Sequence, residues 1–455
     1  MASLIIQEAL KTASDTRSVV IGAGALASVA DVFQASFGDQ PVMVVADENT
    51  FKVAGEAVVT QLRAAGRSVE TFIFPGTPKL HADYHHVEEL REVLRPLAVV
   101  PVAVGSGTIN DITKLAAHEC GRPYMVVATA ASMDGYVAFG AAITRGGFKQ
   151  TMGCAAPRAL VADADIVAAA PADMTASGYA DLLGKVTAGA DWILSDFVGS
   201  EPINQTAWRL VQTHLLTWLG QPEALRAGDP EAAGLLMEGL VLAGLAMQVA
   251  QSSRPASGSE HQFSHLWEME GLSINGTEVS HGFKVGVGSL AVAALYDWVL
   301  AQDWADLDID ALRRAWPSRA AVAEHVRHSH PIPILAEKAV EMSLSKYITP
   351  EQLVRRMEGI REQWPALRAQ LRNQMVPAQR LEAMLRAAGS PVRPEEIGLT
   401  IDRVRATYER ARHIRSRYTV LDLIAEAGLL TKAMGSLFAP DGFWGEGRPS
   451  ARASL

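Results

Sequence analysis

The chain has 455 residues, 49% of them hydrophobic and 20% charged, with a net charge of −9. That length fits two domains, or one domain with a large helical partner, and the composition is that of an ordinary globular protein with ample core. The acidic balance argues against a nucleic-acid partner, which needs a basic face. The basic cluster at residues 403–417 is interrupted by Glu409 and reads as a solvated helix. Two cysteines, Cys120 and Cys154, are too few for a disulfide framework or a Cys-rich zinc site, so both are expected as reduced thiols in a cytoplasmic protein. Residues 1–14 carry Glu8 and Lys11 and no long apolar core, so no signal peptide is expected. The longest apolar run, residues 234–250, is broken by Glu238 and falls short of the roughly 20 residues of a membrane span; it predicts a buried helix.

In chain order, residues 18–24 predict a strand ending in a glycine turn, followed by a helix through Phe33. Residues 41–47 are a continuous apolar run, as expected for a strand buried on both faces of a parallel sheet. Residues 69–74, 99–104 and 124–128 repeat the pattern, with helices at 87–94 and 110–118. Strand and helix alternating at this spacing predict a Rossmann-like, doubly wound α/β domain. From about Ala170 the pattern turns helical: 172–197, 205–218, 232–250, 285–302, 310–323 and most of 331–430, with a turn at Ser390-Pro391. The expected organisation is an α/β domain over 1–168, an all-α domain over 169–435 and a flexible tail over 436–455.

Gly105-Ser106-Gly107-Thr108-Ile109-Asn110-Asp111 leaves a strand and enters a helix. Glycines there let backbone approach a pyrophosphate, and the N–H groups at a helix start attract its charge. The spacing is not GxGxxG, and a tight turn that binds nothing is an equal reading. Asp47 ends the second strand, where a carboxylate serves either an adenosine ribose or a helix N-cap. Thr129 to Gly135 leaves another strand in small and polar residues; Asp134 either accepts substrate hydroxyls or closes its own turn.

His261 and His265, four apart, share a helix face, and His281 precedes a glycine from which it can swing in. Asp181, far upstream, offers a carboxylate. An aspartate and two imidazoles with an open position suit a catalytic metal site rather than a structural one, although each residue taken alone reads more readily as structural. This donor set accepts zinc, nickel or iron.

Gly105 to Asp111, Thr129 to Gly135, Ala176-Ser177-Gly178-Tyr179-Ala180-Asp181-Leu182-Leu183-Gly184-Lys185 with Asp191-Trp192, Ser259-Glu260-His261 with His265, and Arg415 to Asp422 together carry a resemblance. Across roughly residues 15 to 435 they resemble the metal-dependent glycerol-1-phosphate dehydrogenases, in their bacterial AraM-like branch of the iron-containing alcohol dehydrogenase and dehydroquinate synthase superfamily. The resemblance implies an N-terminal nucleotide-binding domain, an α-helical C-terminal domain and one divalent metal on Asp181, His261 and His281. It places NAD or NADP on Gly105, Ser106 and Gly107, with Asp111 capping the following helix; Asp47, Thr129 and Ser132 are the further candidates for nucleotide binding. Ser106 stands where a glycine is often found, and Met133 where some relatives are polar.

The implied reaction is reversible hydride transfer between a nicotinamide and dihydroxyacetone phosphate, giving sn-glycerol 1-phosphate for phospholipid metabolism. His265 would relay a proton or pack on the nicotinamide, Asp134 would meet substrate hydroxyls, and Lys149 and Lys185 would meet the phosphate; Lys185 equally suits a pair with Asp181. The alternatives are a glycerol or small-polyol dehydrogenase, a dehydroquinate-synthase-like lyase that returns its NAD, and a non-catalytic relative. The expected setting is cytoplasmic and homodimeric, with a small phosphorylated substrate and neither nucleic acid nor membrane as partner.

Overall fold

The structure, a computed structural model, describes residues 4–447. The chain divides by its contacts into two compact units: Met1–Leu182 with Gln205–Ala256 and Ala387–Ser390, and Leu183–Asn204 with Ser257–Arg386 and Pro391–Leu455.

In the first unit the apolar runs become a six-stranded sheet. Its strands are β1 (Ser18–Gly22), β2 (Val42–Asp47), β3 (Val69–Phe74), β4 (Val100–Gly105), β5 (Met125–Ala128) and β8 (Ala159–Asp163); Ala141–Arg145 and Phe148–Met152 form a separate hairpin, β6 and β7. The sheet order is β1-β8-β5-β4-β2-β3, parallel throughout. Parallel pairs need crossovers, which the helices Val29–Phe37, Glu56–Ala64, Tyr84–Leu94 and Gly107–Glu119 supply. Val42, Val44, Val102, Val104 and Val127 are at most 1% exposed, each stabilising the core by about 1.5–3 kcal/mol. β3, at the sheet edge, leaves Glu70, Thr71 and Ile73 exposed and buries only Phe74 fully. The chain reverses direction across the sheet at β2, with β3 on one side and β4 on the other. In such sheets ligands bind beyond the carboxyl ends of the strands at this point.

Two pieces of this unit were not foreseen. β8 is embedded in an alanine-rich stretch that gives little apolar contrast. The β6–β7 hairpin turns on Gly146-Gly147, both at positive φ, a signal readable in the sequence.

The second unit is helical apart from a two-residue hairpin, Ser273–Ile274 with Thr277–Glu278. Its frame includes Lys185–Phe197, Ser259–Met269, His281–Ala301, Pro350–Gln374 and Ile401–Arg410. Asp191, fully buried, accepts four hydrogen bonds: from Ser259 N (2.7 Å), Ser259 Oγ (2.6 Å), Tyr296 OH (2.7 Å) and Val420 N (2.8 Å). It thereby fixes the start of the helix that carries His261.

Several expected helices are shorter. Residues 172–197 form two helices that part at Gly184, and 310–323 divides into Ile309–Ala315 and Arg319–Ser329, because Pro317 disfavours helical geometry at Trp316. Residues 205–218 divide into Gln205–Gln212 and Leu215–Trp218. Pro230–Ala250 and His281–Ala301 each have 21 residues and are long and apolar enough to cross a membrane, but 78% and 83% of their most apolar windows are buried within the protein. The flexible tail expected over 436–455 does not hold for its described part. Trp444 is 4% exposed and donates to Tyr408 OH at 3.0 Å, so burial of its ring anchors the segment. The rest of the expected tail, 448–455, lies outside the described residues.

Candidate active site

Gly105 ends β4, and the helix Gly107–Glu119 begins two residues later. Ser106 is its N-cap but makes no side-chain capping bond, so its own hydroxyl does not occupy the first-turn N–H groups. Met133 walls this turn. Its sulfur accepts Gly135 N–H at 2.8 Å, and its methyl would lie 2.8 Å from a Cβ placed on Gly107. Thr129 follows β5, and its N–H bonds Gly105 O at 3.1 Å. Ser132 Oγ lies 3.3 Å from Tyr136 OH. Asp47 takes its N-cap role: Oδ1 accepts Asn49 N and Thr50 N, both at 2.8 Å.

Asp111 does not cap the helix. The helix starts at Gly107, which puts Asp111 one turn inside it. There its carboxylate accepts Ala142 N of the hairpin at 3.1 Å and stands 3.8 Å from Lys114 Nζ. Burial pushes its carboxyl up, opposed first by Lys114 and more weakly by Lys149, which lies on β7 within electrostatic reach. The buried Lys114 ammonium donates to the carbonyls of Gly135 (2.7 Å), Ala138 (2.9 Å) and Gly140 (3.1 Å).

Asp181 is fully buried on the helix Ala172–Leu183, and its Oδ2 accepts Asp134 N–H at 2.9 Å. Gly178 makes that approach possible: a Cβ there would meet Ala131 O at 1.9 Å. The main-chain N–H of Asp134 thus serves the aspartate. Lys185, also fully buried, opens the helix Lys185–Phe197.

His261 is 5% exposed, with Nδ1 2.8 Å from Glu260 Oε1. Glu260, fully buried, also accepts Gly258 N (2.6 Å) and Thr187 Oγ1 (2.9 Å). Burial works to raise its carboxyl, but the bond and charge of His261 with the backbone donors hold it below the ordinary range. His265 Nδ1 and His281 Nδ1 both meet Glu268, at 3.1 and 2.9 Å. Burial pushes His265 down to about 4 despite Glu268, so the ring is neutral at pH 7. The three imidazole centroids lie 5.3 to 5.8 Å apart.

Asp181, His261 and His281 each offer a ligand atom, and these atoms lie within 4.8 Å of one another; among the described residues no other group of three His, Cys, Asp or Glu side chains does so. The donor set fits a divalent transition metal: one carboxylate and two imidazoles, each imidazole held at Nδ1 by a glutamate. Sequence reasoning missed Glu260 and Glu268 as partners of these rings. Glu268, three residues after His265 on one helix, was the readable signal.

A family model described as iron-containing alcohol dehydrogenase matches residues 20–171. The chain is 38% identical to a glycerol-1-phosphate dehydrogenase (NAD(P)+) of Halalkalibacterium halodurans over 56% of this chain and 64% of that protein. It is 31% identical to the Bacillus subtilis protein of the same name over 90% of this chain and 91% of that one. Among solved structures, a probable glycerol dehydrogenase from Sinorhizobium meliloti has the same fold, with a TM-score of 0.59 at 16% identity, covering 93% of this chain and 98% of that one. The parallel sheet, the helical second half and these relatives agree: the chain belongs to the glycerol-1-phosphate dehydrogenase family of iron-containing alcohol dehydrogenases.

Proposed function

We propose that the chain catalyses the reversible, NAD(P)H-linked reduction of dihydroxyacetone phosphate to sn-glycerol 1-phosphate, with a divalent metal on Asp181, His261 and His281. The observation that carries this reading is the approach of those three ligand atoms to within 4.8 Å. A zinc, nickel or iron ion there would supply Lewis-acid stabilisation of charge developing on the substrate carbonyl oxygen. The chain's part is orientation. Asp134 N–H holds Asp181 through Oδ2, and Glu260 fixes the His261 ring.

The nucleotide's phosphates are assigned to Gly105, Ser106 and Gly107, where the uncapped helix start supports the reading. Thr129 and Ser132 are assigned to the same seat. Asp47 is assigned to the ribose through its second oxygen, since Oδ1 caps a helix. His265, neutral, is assigned to carry the alcohol proton and Asp134 to meet substrate hydroxyls; Lys149 and Lys185 are the cations for the phosphate. The reading carries with it a cytoplasmic homodimer.

Nicotinamide oxidation measured with dihydroxyacetone phosphate, dihydroxyacetone and glyceraldehyde 3-phosphate, each with added zinc, nickel or iron, tests the assignment. Net oxidation with dihydroxyacetone phosphate is expected, with kcat/KM at least about a hundredfold above that for dihydroxyacetone. Equal rates on the two ketones would make it a small-polyol dehydrogenase. Absence of net oxidation would point to a lyase that returns its NAD.

A further inference from the structure

Glu268 sits one turn after His265 on the helix Ser259–Met269, with a side chain 5% exposed. Its two oxygens serve different rings: Oε2 meets His265 Nδ1 at 3.1 Å and Oε1 meets His281 Nδ1 at 2.9 Å. Ser264 Oγ, 3.5 Å from His281 Nδ1, is the weaker partner. The fully buried Lys284 ammonium stands 3.1 Å from Glu268 Oε1 and 3.3 Å from Glu278 Oε1. An ionised carboxylate only accepts hydrogen bonds, so a ring nitrogen bonded to it carries the proton, and the proton of a neutral imidazole is then spent. One anion therefore dictates the tautomer of two histidines from different helices.

We propose that Glu268 is a positioning residue that locks His265 and His281 together as Nδ1–H tautomers, so that both rings keep the Nε2 lone pair. This inference rests on the reading above, in which the lone pair serves the metal at His281 and the substrate's proton at His265. Lys284 keeps Glu268 turned between the rings, so the ligand and the proton carrier are oriented by one group. A change in either ring's position pulls on the other through the shared carboxylate.

The test begins with 15N NMR of the metal-free chain carrying 15N-histidine, the two signals identified by their loss in His265→Asn and His281→Asn. Both rings are expected as Nδ1–H tautomers. In Glu268→Gln, whose amide also donates, the tautomers mix and the Kd for Zn2+ weakens about 10- to 100-fold, while Glu268→Asp recovers part of that loss. A wild-type spectrum with either ring protonated at Nε2 overturns the lock without recourse to any variant. A Kd in folded Glu268→Gln within twofold of wild type overturns it as well. Wild-type Zn2+ affinity in His281→Ala instead overturns the metal reading, while the tautomer measurement still decides what Glu268 does to the two rings.

Discussion

The histidine cluster and the glycine loop are made from opposite materials. At the cluster the Nδ1 of each ring is tied to a carboxylate, Glu260 for His261 and Glu268 for His265 and His281. At the loop, side chains are withheld: Ser106 makes no cap bond, and the space beside Gly107 ends at a methionine. A small cation is held by a few atoms at fixed distances, so the orientation of each ligand matters. An extended polyanion is held by a row of backbone N–H groups, so what matters is that nothing else occupies them. On the proposed reading, one enzyme uses dense hydrogen bonding for its metal and bare backbone for its nucleotide.

The largest effect should come from breaking the cluster. Asp181→Asn and His261→Ala are expected to lose bound metal and to lower turnover by at least about a thousandfold; metal content and nicotinamide oxidation measure both. Unchanged activity in the two variants would remove the cluster from the chemistry altogether. Next is the packing against the segment that follows β5. Gly178→Ala places a methyl 1.9 Å from Ala131 O, a backbone atom that cannot swing aside. A destabilisation of about 3 kcal/mol in urea unfolding is expected, with weaker metal binding because Asp134 N–H shifts off Asp181. The smallest effect sharpens the contrast. Gly107→Ala meets only the flexible tip of Met133, 2.8 Å away, so stability should stay within about 1 kcal/mol. The KM for the nucleotide should nonetheless rise about tenfold. An unchanged KM would mean that the phosphates sit elsewhere.

Much of this was legible because local pattern and tertiary role coincided. The run at residues 41–47 reads as a strand buried on both faces of a parallel sheet, and β2 is so buried. His261 and His265 share a helix, as their spacing required. What escaped the sequence depended on where an element begins or on what lies opposite it. The cap role that the resemblance implies for Asp111 fails because the helix starts four residues earlier, at Gly107. In the sequence Glu260 is only a neighbour of His261, since its bonds to Gly258 N and Thr187 arise from folding. Trp444 looked like part of a loose Gly- and Pro-rich end until Tyr408 supplied its partner. Asp47 remained open between cap and ribose, and the cap is present.

Lys114 has a consequence of its own. Three carbonyl oxygens converging within 3.1 Å of one ammonium form the kind of oxygen cage that elsewhere holds potassium or free ammonium. Here the cation is covalently tethered. The segment from Gly135 to Gly140 therefore keeps its shape whatever monovalent salt surrounds the protein, and catalysis should run equally well in sodium, potassium or choline buffers of matched ionic strength.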